Sequence, residues 1–296
     1  MKVLKGTPKY FSEAGILDSF TYLMLNLPFE CNYRCSKCFN HRGGKPITSG
    51  NPISLEDRLK LIKDAKKMGG RVVVIAGEGE PSLNKETKTL VSEINSLGMI
   101  PIVYSNGSIL TQELIEFYKA NNATIVISFD SLGPGTYDRL TGTNGQLKRV
   151  IKNVRDLIGA YKDTIENIGD LKIVRIAINT TVSSLNEKEL QKIKQFWGND
   201  IYFICNPLVR LGNAVQNWDN LILDEESQAR QKELIRELSE SGGPLTLGAD
   251  GLCGYSRHGI AVGPYGDYMT CAYTTETNGL LGNIGDTSLK DAFKHK

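Results

Sequence analysis

Short apolar runs alternate along the chain with segments whose apolar residues recur every three or four positions, the order expected of successive βα units around a parallel sheet. Residues 20–25 read as the first strand. Ser54-Leu55-Glu56-Asp57 resembles a capping box, and Leu55, Leu59, Ile62 and Ala65 then share a helix face ending at Gly69-Gly70. Residues 71–76 read as a continuous buried strand. Leu90, Val91, Ile94 and Leu97 give the next helix stripe, closed by Gly98. The alternation continues with strand 100–104 and helix 111–120, strand 124–129 and a helix around 147–157, strand 173–178 and helix 189–197, and strand 201–205. Six units in order predict an incomplete parallel barrel, with its chemistry on loops at the C-terminal ends of the strands.

Around that barrel, residues 20–210, the pattern changes. Residues 1–19 form an N-terminal extension. A connector over 211–222 and a polar helix from 225 to 238 lead into the turn Gly242-Gly243-Pro244, making 211–244 a linker. Residues 245–296 are rich in Gly, Tyr and Thr, with strand-like pieces and no long helix, as in a small metal-stapled extension. Composition adds little: 40% hydrophobic and 23% charged residues are ordinary for a globular chain of 296 residues. A net charge of +2 points to neither a nucleic-acid nor a membrane partner. Residues 1–20 lack the apolar run and small-residue cleavage site of a signal peptide, and no apolar run comes near the ~18 residues of a membrane span. A cytoplasmic location is expected, where six cysteines serve metal sooner than disulfides.

Three of the six are crowded into Cys31-Asn32-Tyr33-Arg34-Cys35-Ser36-Lys37-Cys38. Three thiolates at this spacing can hold three corners of a [4Fe–4S] cube, which normally takes four, and leave one iron open. A zinc site of Cys31, Cys35, Cys38 and His41, in a binding module without redox chemistry, is the alternative reading. The C-x3-C-x2-C loop resembles the radical SAM superfamily. That resemblance implies a partial (β/α)6 TIM barrel and a cluster whose open iron binds S-adenosylmethionine (SAM).

Further stretches are similar to the same family. Gly79-Glu80-Pro81 matches the GGEP loop that grips the SAM amino group, with Glu78 in place of the first glycine. Ser105-Asn106 ends the third strand. Ser128-Phe129-Asp130-Ser131, followed by Tyr137-Asp138-Arg139-Leu140-Thr141-Gly142, resembles the stretch in which a strand-end serine and an arginine meet the SAM carboxylate. Arg139 suits that task, since its fork matches a carboxylate. Asp130 is expected toward the ribose, and Asn179, ending the fifth strand, toward the cofactor. One departure is Lys37, which stands where the family carries an aromatic residue near the adenine; Phe39 is the stacking candidate instead.

The late cysteines follow C-x12-G-x4-C from Cys253 through Gly266 to Cys271. This resembles the start of a SPASM or twitch extension, here with one auxiliary [4Fe–4S] cluster at most. Cys205 is the third ligand candidate, or a buried thiol; His258 reads as a loop residue. The resemblance implies reductive cleavage of SAM to a 5′-deoxyadenosyl radical and hydrogen abstraction from a C–H bond, with a flavodoxin or ferredoxin supplying the electron. Dehydrogenation through the auxiliary cluster, epimerisation with Cys205 or Cys253 returning hydrogen, and peptide crosslinking are the outcomes considered. No leader-binding segment is read before residue 20 and no second set of SPASM cysteines after 271. On that ground the expected substrate is a sugar, aminoglycoside or short peptide.

Overall fold

The computed structural model describes residues 1–28, 30–39, 51–238, 254–272, 274 and 279–296. Their strands are β1 (Lys2–Leu4), β2 (Tyr22–Leu27), β3 (Val72–Gly77), β4 (Ile100–Ser105), β5 (Thr124–Ser128), β6 (Glu166–Ile168), β7 (Leu171–Val174), β8 (Ile176–Val182), β9 (Tyr202–Pro207), β10 (Gly259–Val262), β11 (Asp267–Met269) and β12 (Leu280–Asn283). One sheet runs β12-β11-β10-β2-β3-β4-β5-β8-β9, and β1-β7-β6 form a second. From β2 to β9 every neighbouring pair is parallel. Helices Leu55–Lys67, Thr87–Ser96, Gln112–Ala120, Leu147–Tyr161 and Leu190–Trp197 fall between those strands in chain order. This is the partial (β/α)6 barrel that the resemblance implies.

Local chemistry explains the helix starts. The capping box at Ser54 forms: its hydroxyl accepts the Asp57 amide, and the Asp57 carboxylate accepts the Ser54 amide, both at 3.1 Å. Thr111 caps the helix Gln112–Ala120 from one side only, its hydroxyl accepting the Leu114 amide at 3.2 Å. Strand alternation then sorts the core into two layers. Leu23, Leu25, Val73, Ile75, Val103, Ile127, Ile178 and Phe203 belong to the cluster packed under the helices. Tyr22, Val72, Val74, Ile102, Val126, Ala177, Tyr202 and Ile204 form the cluster that fills the lumen.

The lower end of the lumen is closed by residues from outside the barrel. Leu4, Phe11 and Val174 join the lumen cluster, delivered by β1, which pairs with β7, and by the short helix Pro8–Glu13. The Phe11 ring meets Tyr22 edge-on, with 6.2 Å between centroids. The run read as one strand over 173–178 is thus two strands in different sheets, separated by Arg175. Its guanidinium is held by Asn122 (3.0 Å) and Glu166 (3.4 Å). Similarly, the first strand lies two residues later than read, and Phe20 packs against Phe293 of the C-terminal helix Leu289–Lys294 instead.

Residues beyond the polar helix Glu225–Leu238 rejoin the barrel. β10 adds in parallel to the free edge of β2, and β11 and β12 follow antiparallel. Gly266, the glycine of the C-x12-G-x4-C spacing, sits in the β10–β11 turn with φ +91°. A Cβ there would lie 2.9 Å from Ile284 and Ile53. Among the described residues no helix is long and apolar enough to cross a membrane.

Candidate active site

The three-cysteine loop follows β2 at the C-terminal end of the barrel, and backbone from three distant segments holds it. At its start, the Glu80 amide donates to the Glu30 carbonyl at 2.7 Å, and a Cβ on Gly79 would overlap that same carbonyl. In the middle, the Arg34 and Ser36 amides donate to the carbonyls of Thr141 and Leu140, each at 3.0 Å. These end the helix Pro134–Thr141, where Gly142 (φ +62°) abuts the Arg34 carbonyl. At its end, the Asn213 amide donates to the Cys38 carbonyl (2.8 Å) and its side chain to the Cys35 carbonyl (3.1 Å). A Cβ on Gly212 would lie 2.5 Å from the Cys38 and Phe39 carbonyls. Glycine at these points lets three backbones close on the loop.

Side chains complete the seat. Tyr33 is buried, and its hydroxyl lies 3.4 Å from that of Tyr137. Asn32 bridges Ser108 and Asn106, each at 2.9 Å. The Glu80 carboxylate, 3% exposed, accepts from the Ser82 amide (3.0 Å), the Ser105 hydroxyl (2.9 Å) and the Asn106 amide (2.6 Å). Burial holds its pKa above the usual 4.5, against those hydrogen bonds. Glu80, Ser105 and Asn106 therefore act on one another and on the cysteine loop.

Cys31, Cys35 and Cys38 are half-buried. Desolvation pushes the thiols of Cys31 and Cys35 up. The donor set is thus three thiols on one loop held by backbone contacts from three segments. Among the described residues no three His, Cys, Asp or Glu side chains converge on a single metal ion. A cube of iron and sulfide, which holds its thiolates at separate corners, fits these residues, and binding it requires the protons of the buried thiols to leave. His41 and Cys253 lie outside the described residues.

Facing the loop, the lumen rows turn polar at the strand ends. Ser128 and Asn179 are register partners across β5 and β8, and Asn206 of β9 donates to the Asn179 side chain at 2.6 Å. Asp130, 2% exposed, ion-pairs with Lys37 at 2.6 Å and accepts the Thr181 amide at 2.8 Å. Its carboxylate, expected toward the ribose, is thereby engaged by the cysteine loop. Arg139 is exposed on its helix and takes no part in this network. Phe39 is half-buried beside Gly212. Pro81 is buried, and its carbonyl accepts the Thr87 hydroxyl at 2.6 Å.

Cys205, read as a ligand candidate or a buried thiol, is buried in the structure. It alternates with the lumen residue Ile204 and belongs to the cluster under the helices, 3% exposed, with burial pushing its thiol up to about 12. That orientation turns it away from the lumen, both as a ligand and as a hydrogen donor. Cys271 is half-buried just past β11, its amide donating to the Thr274 hydroxyl at 3.3 Å. Sequence reasoning missed Gly142, Gly212, Asn213 and the engagement of Lys37. Gly142 closed a block that was noticed; Gly212 and Asn213 lie in a connector that carries no local signal.

Residues 25–169 match the family model of the Radical SAM superfamily. They are a radical SAM domain. The family uses a [4Fe–4S] cluster and SAM. Among curated relatives, a protein of Thermococcus kodakarensis named "Probable GTP 3′,8-cyclase" is 31% identical over 176 residues, 60% of this chain and 52% of that protein. A GTP 3′,8-cyclase of Mannheimia succiniciproducens is 27% identical over 245 residues, 78% of this chain and 68% of its own. The chain thus spans about half the length of the first relative. Among solved structures, Streptococcus suis SuiB bound to SAM superposes with a TM-score of 0.69 at 16% identity, over 96% of this chain and 68% of that one. The anSMEcpe structure with bound AdoMet gives 0.63 at 15%, over 93% and 77%. At such identities the likeness is one of fold.

Proposed function

We propose that this protein is a radical SAM enzyme that abstracts hydrogen from a C–H bond of a peptide or small natural product, with dehydrogenation as the outcome. The observation that carries the reading is the thiol loop seated over a polar lumen mouth by three separate backbone contacts. Cys31, Cys35 and Cys38 would hold the cluster. When bound, the reduced cluster supplies the electron that splits SAM into methionine and a 5′-deoxyadenosyl radical. Backbone at Gly79 and Pro81, with Ser128, Asn179 and Arg139, would orient SAM, and the apolar lumen floor would keep water from the reacting centre. Cys271, with Cys253, would hold an auxiliary cluster able to accept the substrate's electron. A flavodoxin- or ferredoxin-type protein is the expected donor. Epimerisation loses one candidate donor with the orientation of Cys205; Cys253 is the remaining one.

A second reading follows from the relatives' names, which describe GTP 3′,8-cyclases. On it the substrate is a purine nucleotide. Its support is 27% identity over 245 residues.

Anaerobic reconstitution tests the class: reduced protein with SAM is expected to release 5′-deoxyadenosine, and the Cys31/Cys35/Cys38→Ala variant none. A colourless protein that binds zinc alone overturns the proposal. About four irons retained in that triple variant, the content of one cube, would establish a cluster at the C-terminal cysteines. GTP that is consumed, with peptides left unchanged, would favour the second reading.

A further inference from the structure

The position just before the third cysteine holds a charge. The Lys37 ammonium lies 2.6 Å from Asp130 Oδ2, 2.7 Å from Oδ1 and 3.0 Å from the Thr181 hydroxyl. The pair is nearly sealed, its side chains 10% and 2% exposed. Asp130 is fixed in turn by the Thr181 amide at 2.8 Å, and its backbone carbonyl accepts from the Asn186 side chain at 2.9 Å. A bond across 93 residues therefore ties the cysteine loop to the ends of β5 and β8. Lys37 directly precedes Cys38 and Asp130 is paired to it, so both charges sit at the third-cysteine end of the loop.

We propose that Lys37 and Asp130 form a polar latch that fixes the third-cysteine end of the loop and sets the reduction potential of the cluster it holds, Lys37 being the positive end, next in sequence to Cys38. The inference rests on the radical SAM reading of the loop. Adding an electron makes the cluster more negative, so a desolvated cation beside it stabilises the reduced form, and a nearby anion opposes that. Lys37 is thus a positioning residue whose charge acts on the metal.

The test is EPR-monitored potentiometry with iron analysis on reconstituted wild type, Lys37→Met, Lys37→Arg and Asp130→Asn. Lys37→Met is expected to make the cluster harder to reduce by about tenfold in the reduced-to-oxidised ratio at fixed poise, 59 mV for one electron. Asp130→Asn should make it easier to reduce, because the ammonium is then uncompensated. Lys37→Arg keeps the charge and should stay within threefold of wild type. A purely structural latch would move both neutralising variants the same way or strip their iron; either result, or no shift, overturns the proposal. Wild type that assembles no cluster overturns the radical SAM reading of the loop and the latch with it, whereas a normal wild-type cluster with unmoved variants overturns the latch alone.

Discussion

The two ends of the barrel are built from the same strand faces and do opposite things. Near the floor, Tyr22, Val72, Val74, Ile102, Val126, Ala177 and Tyr202 bury apolar surface against Leu4, Phe11 and Val174. At the mouth, the rows from β5, β8 and β9 end in Ser128, Asp130, Asn179, Thr181 and Asn206. There, close backbone contacts and buried polar groups replace apolar packing. Stability and chemistry are therefore separated along the strand axis, and a substitution's consequence depends on its height in the barrel.

The largest effect is expected at the mouth. Gly79→Ala places a methyl group on the Glu30 carbonyl, which must displace the start of the cysteine loop. The variant should lose most of its reconstituted iron and SAM cleavage, by a hundredfold or more on the order of the 2.7–4 kcal/mol seen when one aligned group is lost from an active site. Its melting temperature should fall only slightly. A variant that retains full iron would show that the loop tolerates movement and that the mouth is softer than its contacts imply.

Next in size is the floor. Phe11 is 3% exposed and packs on Tyr22, so Phe11→Ala should cost about 3–5 kcal/mol. At a few degrees per kcal/mol for a chain of this size, that is roughly 10 °C in thermal unfolding. Iron content and SAM cleavage below the transition should match wild type. If activity falls in parallel with stability, floor and mouth are coupled and the separation fails.

How much of this division was legible in the sequence depends on whether the signal was local. The capping box at Ser54 and the polar helix Glu225–Leu238 were read with their observed bounds because caps and helix periodicity are local. The thiol loop was legible for the same reason. The floor was not: nothing in residues 1–19 announces that Phe11 plugs a lumen, and the apolar run near residue 173 hid a break at Arg175. Cys205 stayed open between ligand and buried thiol because alternation gives two faces without saying which is inside until β9 is in register with β8. The Asn213 side chain's bond to Cys35 spans 178 residues, a distance over which local pattern carries no information.

A smaller effect is expected from Glu80→Gln. One carboxylate oxygen becomes an amide group facing a donor, since both oxygens accept N–H or O–H groups; the mismatch should cost about 1–3 kcal/mol. Burial raises the folded pKa of Glu80 above 4.5. The share of stability that depends on its protonated form is then fully present below 4.5 and lost as pH rises through the folded value. The gap between wild type and Glu80→Gln in urea unfolding should therefore narrow from pH 4.5 upward. A gap that widens would mean that the hydrogen bonds to the carboxylate outweigh its desolvation.

The smallest effect on the fold, and the sharpest on assignment, is expected from Arg139→Ala. Arg139 is exposed, between the buried Tyr137 and Leu140, so its loss should leave the melting temperature within about 1 °C, as surface substitutions do. Its proposed task is to pair with the SAM carboxylate. A hydrogen bond to a charged group contributes about 1.5–3 kcal/mol, so SAM should bind roughly ten- to a hundredfold more weakly. Equilibrium binding of SAM to the reconstituted protein measures this directly. Unchanged affinity would remove Arg139 from the SAM site and leave the carboxylate to Ser128 and the polar ends of β8 and β9. In that case the mouth would work entirely through groups that the fold already holds rigid.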